Sequence, residues 1–191
     1  MNRVDDKIAI VTGGTQGLGA AIALNFAKVG AKGIVILGRN QDRGNKLSEK
    51  ISKETGCSVK FFKTELSNVN ECREAVSFTK KNFSRVDILV NAAGLTDRGN
   101  IVETSEELFD QMIGVNVKGP FFLIQDVVKN MIENEIKGSI INIGSQAAIT
   151  GQPFLSSYSL SKGALATLTK NTAFALLKNN IRVNQLNIGW M

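Results

Sequence analysis

Lys7-Ile8-Ala9-Ile10-Val11-Thr12-Gly13-Gly14-Thr15-Gln16-Gly17-Leu18-Gly19 is the stretch on which the architecture turns. Ile8–Val11 is apolar at every position rather than at alternate ones, the pattern of a strand buried on both faces. Glycines follow at once, and a helical pattern opens at Gly17. Glycines after a strand permit a tight turn and let backbone N–H groups approach an anion, and the helix adds the positive end of its dipole. Alone, such a loop is as readily a plain turn. In a strand–loop–helix setting at the head of a β/α chain it reads as a dinucleotide cradle.

The same unit recurs along the chain. Aliphatic runs at Lys7–Thr12, Gly33–Gly38, Ser58–Lys63, Asp87–Ala92, Gly138–Gly144 and Ile181–Ile188 predict strands. Amphipathic stretches at Gly17–Val29, Gln41–Glu54, Asn68–Phe83, Ser105–Asn130 and Ser157–Lys178 predict helices. This alternation predicts an α/β fold, a three-layer doubly wound parallel sheet of Rossmann-like type with six strands and right-handed crossovers. The stretch from Ser105 is apolar on several sides and contains Pro120, so a kink or break is expected there. Its surplus apolar surface is expected to cover the sheet and to meet a partner subunit. With 191 residues and no repeat or linker, the chain is expected to be one dinucleotide-binding domain spanning 1–191. It stops just past the sixth strand, where a sheet edge would be expected to have a covering element.

Composition narrows the function. Hydrophobic residues make up 43% and charged residues 21%, the balance of a globular domain in water. The net charge is +6, but the basic residues are scattered and no run exceeds Lys80-Lys81, so no nucleic-acid surface is expected. No signal peptide and no apolar stretch of about 18 residues are found, and no membrane role is expected. Cys57 and Cys72 have neither metal nor redox spacing, which fits a reducing cytoplasmic setting and no metal site.

The chain has no histidine and a single tyrosine, Tyr158. A Ser-His-Asp hydrolase and a His-ligated metal are thereby excluded. Tyr158 stands four residues before Lys162 in Ser157-Tyr158-Ser159-Leu160-Ser161-Lys162. On a helix, side chains at that spacing face the same way with Cβ atoms about 5–6 Å apart. An ammonium one turn away stabilises a phenolate, which makes the pair an acid/base usable near neutrality. Alone the pair reads more readily as a surface helix contact, and its neighbours change that reading.

The loop spacing TGxxxGxG, with Thr12, Gly13, Thr15, Gln16, Gly17, Leu18 and Gly19, resembles that of the classical short-chain dehydrogenase/reductase family. Further matches follow in order: Asn91-Ala92-Ala93-Gly94 after the fourth strand, Asn116 in the long helix, Ser145, Tyr158-x-x-x-Lys162, and Arg182-Val183-Asn184 on the last strand. The resemblance spans Lys7 to Gly189. It implies hydride transfer between a nicotinamide and a carbonyl or alcohol carbon, with Tyr158 moving the proton and Lys162 holding the nicotinamide ribose and supporting the phenol. Ser145 would bond the substrate oxygen, and Asn116 would hold a water in the proton path. Quieter roles stay open: Ser145 satisfying backbone at a strand end, Asn116 bonding within a Pro-containing helix, and Asn91 bracing strands.

The second strand ends Leu37-Gly38-Arg39-Asn40. No carboxylate is there to hold ribose hydroxyls, and a guanidinium suited to phosphate follows. NADP(H) is therefore expected over NAD(H), although Gln16 stands where some members carry a second basic residue. Glu65-Leu66 occupies the adenine position, and Ile188-Gly189 replaces the family's Pro-Gly at the nicotinamide end, with Trp190 beside it. The family continues beyond this point with a substrate lid and a seventh strand, so a C-terminally truncated chain is expected. Similar proteins pair through the helices matching Ser105–Asn130 and Ser157–Lys178, which implies a homodimer or homotetramer. Rival readings are an NAD-dependent alcohol dehydrogenase, a nucleotide-binding module without turnover, and an oligomeric scaffold. The substrate is expected to be a small carbonyl or alcohol, against a mostly apolar wall at Gln146–Ile149.

Overall fold

The computed structural model describes residues 4–189. Strands β1 (Ile8–Thr12), β2 (Gly33–Gly38), β3 (Ser58–Lys63), β4 (Ile88–Asn91), β5 (Ser139–Ser145) and β6 (Arg182–Ile188) form one parallel sheet in the order β3-β2-β1-β4-β5-β6. Helices α1 (Gly17–Lys28) and α2 (Gln41–Thr55) cover one face. Helices α3 (Val69–Phe83), α5 (Gly119–Glu133) and α7 (Ser156–Ala175) cover the other. The expected three-layer, doubly wound sheet is what forms.

Side-chain alternation along each strand explains the layers. On β1, Ala9 and Val11 point into the cluster with Ala23, Ala27 and Ile51, while Ile10 points into the cluster with Val76, Leu123 and Val127. Every residue of β1 is buried, which is why the run shows no polar alternation. Each buried Val, Leu or Ile side chain among them contributes about 1.5–3 kcal/mol of transfer free energy. The sheet's lower edge is tied by Asp87, 3% exposed, whose Oδ2 accepts from the Ile8 N–H at 2.9 Å. Arg85 donates to the same carboxylate from Nε at 3.1 Å, and the Lys7 ammonium lies 3.8 Å away.

The stretch 105–130 differs from a single kinked helix. It is α4 (Glu106–Ile113), a π-helical turn (Gly114–Lys118) and then α5 with Pro120 in its first turn. Proline has no N–H to give the Asn116 carbonyl four residues back. The chain meets this by winding one residue wider, so that the Gly119 N–H reaches the Gly114 carbonyl. The expected break is therefore displaced upstream of the proline and centred on Asn116. A short helix α6 (Ala147–Thr150) follows β5 in a stretch for which no element was predicted, and α7 ends in a 3-10 turn at Leu177–Asn179. Among the described residues no helix is long and apolar enough to cross a membrane.

Candidate active site

The strand order reverses between β1 and β4, and a crevice opens at the carboxyl ends of those strands, where ligands of open α/β sheets lie. It has a volume of about 620 Å³. Gly13, Thr15, Gln16, Gly17, Leu18 and Gly19 form its floor; Arg39, Glu65 and Leu66 stand at one end, and Ala92, Ala93, Gly94 and Ile188 at the other.

The floor is built to meet an anion. Gln16 is the N-cap of α1, yet its side chain makes no capping bond, and the first turn carries no acidic residue. Its amide oxygen instead accepts from Arg43 Nη1. The first N–H groups of α1 are thus left without a side-chain partner at the positive end of the helix, fit for a pyrophosphate. Gly19 makes the close approach possible: a Cβ there would lie 2.4 Å from the Gly13 carbonyl oxygen. Thr12 does not line the crevice. It is buried, and its hydroxyl oxygen accepts from the Ala93 N–H at 2.9 Å, bracing the β1 end against the loop after β4.

At the β2–β3 end, Arg39 is 75% exposed and its Nη1 lies 3.9 Å from Glu65 Oε2. Glu65 also accepts from the Ser67 hydroxyl at 3.2 Å. Asn40 does not line the crevice. Its side chain caps α2, accepting from the Arg43 N–H at 2.9 Å. Asn91 is likewise absent from the lining. Its Nδ2 donates to Asn142 Oδ1 at 2.8 Å, and Asn142 Nδ2 donates to the Thr169 hydroxyl at 2.9 Å, a buried chain linking β4, β5 and α7. That is the strand-bracing geometry.

Lys162, Tyr158 and Asn116 lie just beyond the Gly94–Ile143 end, and Ser145 follows at the end of β5. Lys162 is 4% exposed, and its Nζ donates to the Ile143 carbonyl at 2.8 Å. Nζ lies 5.8 Å from the centroid of the Tyr158 ring and 3.4 Å from the point a Gly94 Cβ would occupy. Burial pulls its pKa down to about 8. Asn116 Oδ1 accepts from the Leu95 N–H at 2.8 Å, and its Nδ2 donates to the Leu95 carbonyl at 2.8 Å and to the Ser161 hydroxyl at 3.0 Å. Ser161 in turn donates to the Tyr158 carbonyl at 2.7 Å. The side-chain amide of Asn116 is therefore spent on the β4 loop and α7. Ser145 ends β5, 8% exposed, and its oxygen accepts from the Ala147 N–H at 3.1 Å, which leaves its hydroxyl proton to donate. None of the four is among the crevice-lining residues; Gly94, Leu95 and Ile143, which are, touch Lys162 and Asn116. Gly189 is exposed and outside the lining, and Trp190 lies outside the described residues.

Leu37, Gly38, Thr64, Ser67, Leu95, Gln111, Val115 and Ile143 also line the crevice. Most sit at strand ends or in the loops that follow them, and position in an open sheet would have flagged them. Gln111 and Val115 arrive through the α4–π junction, which leaves no signature in the sequence.

A family model described as short chain dehydrogenase matches residues 7–191. An uncharacterised oxidoreductase of Thermotoga maritima is 36% identical, aligned over 98% of this chain and 72% of its own length. Galactitol 2-dehydrogenase of Agrobacterium fabrum is 32% identical over 96% of this chain and 70% of its own. Among solved structures, NAD+-bound xylitol dehydrogenase superposes with a TM-score of 0.94 at 28% identity, over 100% of this chain and 72% of that one. L-Sorbose reductase from Gluconobacter frateurii, complexed with NADPH and L-sorbose, gives 0.93 at 30% identity, over 97% of this chain and 70% of that one. The uncapped glycine-loop helix, the parallel sheet and these matches lead to one conclusion: the chain belongs to the short-chain dehydrogenase family, and so to the NAD(P)-dependent oxidoreductases that act on CH–OH groups.

Proposed function

We propose that the chain interconverts a small secondary alcohol and its ketone with NADP(H), Tyr158 exchanging the proton with the substrate oxygen. The observation that carries this reading is the buried Lys162 ammonium, held by the Ile143 carbonyl one helical turn from Tyr158. A cation held out of water there favours negative charge that develops on the reacting oxygen in the transition state. Ser145, with its hydroxyl proton uncommitted at the end of β5, would donate to the same substrate oxygen and orient it. Asn116 leaves its backbone carbonyl, which Pro120 cannot serve, as the acceptor for a water on the path from Lys162 to solvent.

The bound dinucleotide supplies or takes up the hydride. The α1 amides and Gly13–Gly19 would hold its pyrophosphate, with Arg39, Glu65 and Leu66 at the adenosine end. Ala92–Gly94, Tyr158, Lys162, Ile188 and Gly189 would meet its nicotinamide half, with Asn91 bracing the strands beneath them. Arg39 with no carboxylate at Gly38 supports NADP(H). One observation favours NAD(H) instead: Arg39 already has a carboxylate partner in Glu65. The names of the similar galactitol and xylitol dehydrogenases and of L-sorbose reductase support sugar alcohols and ketoses as the first substrates to assay.

The reading also takes the chain as one cytoplasmic dinucleotide-binding domain that pairs through α4–α5 and α7, where Phe121 and Leu160 are half exposed. The experiment is Tyr158→Phe. Carbonyl-dependent NADPH oxidation should fall by at least about a thousandfold, in line with the loss of a positioned acid, with cofactor affinity within about twofold. Undiminished turnover would remove Tyr158 as the proton donor. Cofactor binding without turnover in the unaltered chain, across a broad set of ketoses and other carbonyls, would leave a nucleotide-binding module.

A further inference from the structure

The ribose end of the crevice carries a second cation that the motif spacing hides. Arg43, in the first turn of α2, donates from Nη1 to Gln16 of the glycine loop, and Gln16 lines the crevice beside Arg39. Arg39 lines that wall, and Arg43 stands behind it, outside the lining and bonded to Gln16. They differ in how committed they are. Arg39 has Glu65 3.9 Å away, whereas Arg43 makes no ion pair among the described residues and rests on a neutral amide. The wall admits no carboxylate of its own, because a Cβ at Gly38 would lie 2.7 Å from the Thr15 methyl carbon. Glu65, the one acidic residue lining the crevice among those described, is bound to Arg39 and the Ser67 hydroxyl.

We propose that Arg43 is a second ligand for a phosphomonoester on the ribose of the bound dinucleotide, held beside the site by Gln16 until the phosphate arrives. This rests on the NADP(H) reading above. A hydrogen bond from guanidinium to a phosphate dianion is roughly twice as strong as one to a neutral acceptor. Arg43 also has donors to spare, since a guanidinium carries five N–H groups and Gln16 engages one nitrogen. A dinucleotide without that phosphate offers Arg43 only neutral hydroxyl oxygens, so the residue acts on the difference between the two cofactors.

The test measures binding by titration calorimetry, with NADPH, NADH, 2′-AMP and 5′-AMP as probes, on the unaltered chain, Arg43→Gln and Arg39→Gln. Arg43→Gln should weaken NADPH and 2′-AMP by about five- to tenfold at low salt, with NADH and 5′-AMP within about twofold. The melting temperature should not move, because the side chain is exposed. A loss of NADPH and NADH affinity in equal measure would make Arg43 a brace for the glycine loop and overturn the proposal. So would an unchanged NADPH affinity in a chain that prefers NADPH, and in that outcome the NADP(H) reading survives. An unaltered chain that binds NADH more tightly than NADPH sinks both.

Discussion

Lys162→Met should make the folded protein more stable at neutral pH, and the gain should vanish in alkali. Desolvation lowers the Lys162 pKa from 10.5 to about 8. Between those values the unfolded chain binds the proton and the folded chain does not, so stability rises with pH across the window. Below pH 8 the buried ammonium costs roughly 3 kcal/mol, the equivalent of that displacement. Methionine fills a similar volume without charge, but forfeits the bond to the Ile143 carbonyl, worth about 1.5–3 kcal/mol for a charged donor. The net gain at pH 7 is on the order of 1 kcal/mol, or about 2–4 °C in Tm for a chain of this size. Urea unfolding of both proteins without dinucleotide, from pH 7 to pH 10.5, measures it. The informative quantity is the difference between them, which cancels every other titrating group. A difference that stays flat from pH 7.5 to 10.5 would refute the buried-ammonium reasoning.

Asp87→Leu should cost about 3 kcal/mol in urea unfolding, because it strands the Ile8 N–H and unpairs Arg85, while Asp87→Asn, which keeps an acceptor, should cost about 1 kcal/mol. Asn116→Ala leaves both backbone groups of Leu95 without their partner and should cost about 2–3 kcal/mol in thermal unfolding. It should also weaken dinucleotide binding severalfold by calorimetry, since Leu95 lines the crevice.

The sheet was legible because it is buried on both sides. Runs such as Ile34–Leu37 and Ile140–Ile143 have no polar phase to confuse, and strand ends fall within a residue or two of expectation. The break near Pro120 was legible in kind but not in place, since apolar periodicity does not distinguish a bond to the fourth residue from one to the fifth. Helix α6 is a single turn, too short for any period, with Ser145 receiving its Ala147 N–H. At the site, residue types pointed to the glycine loop and to Tyr158 and Lys162. They could not divide lining residues from bracing ones: Thr12, Asn40 and Asn91 all spend their side chains on backbone or neighbouring strands. The bond from Arg43 to Gln16 crosses 27 residues of chain, and only the fold reveals it.

A buried ammonium in a chain of marginal stability needs something to hold it in place, and the bonds around it are arranged for that. Asn116 fastens the β4 loop to the π turn through Leu95, and fastens the π turn to α7 through Ser161. Ser161 fixes the first turn of α7 through the Tyr158 carbonyl, and Lys162 returns to β5 through Ile143. Each bond contributes about 1 kcal/mol net, with somewhat more for the charged donor, so together they are comparable to the roughly 3 kcal/mol that the lysine costs. The same bonds fix where the phenol and the amine sit relative to the crevice. Removing the lysine should therefore release stability, whereas removing Asn116 should lose it, although both lie in the same buried cluster. That opposition in sign separates a buried charge that costs stability from the polar scaffold that positions it.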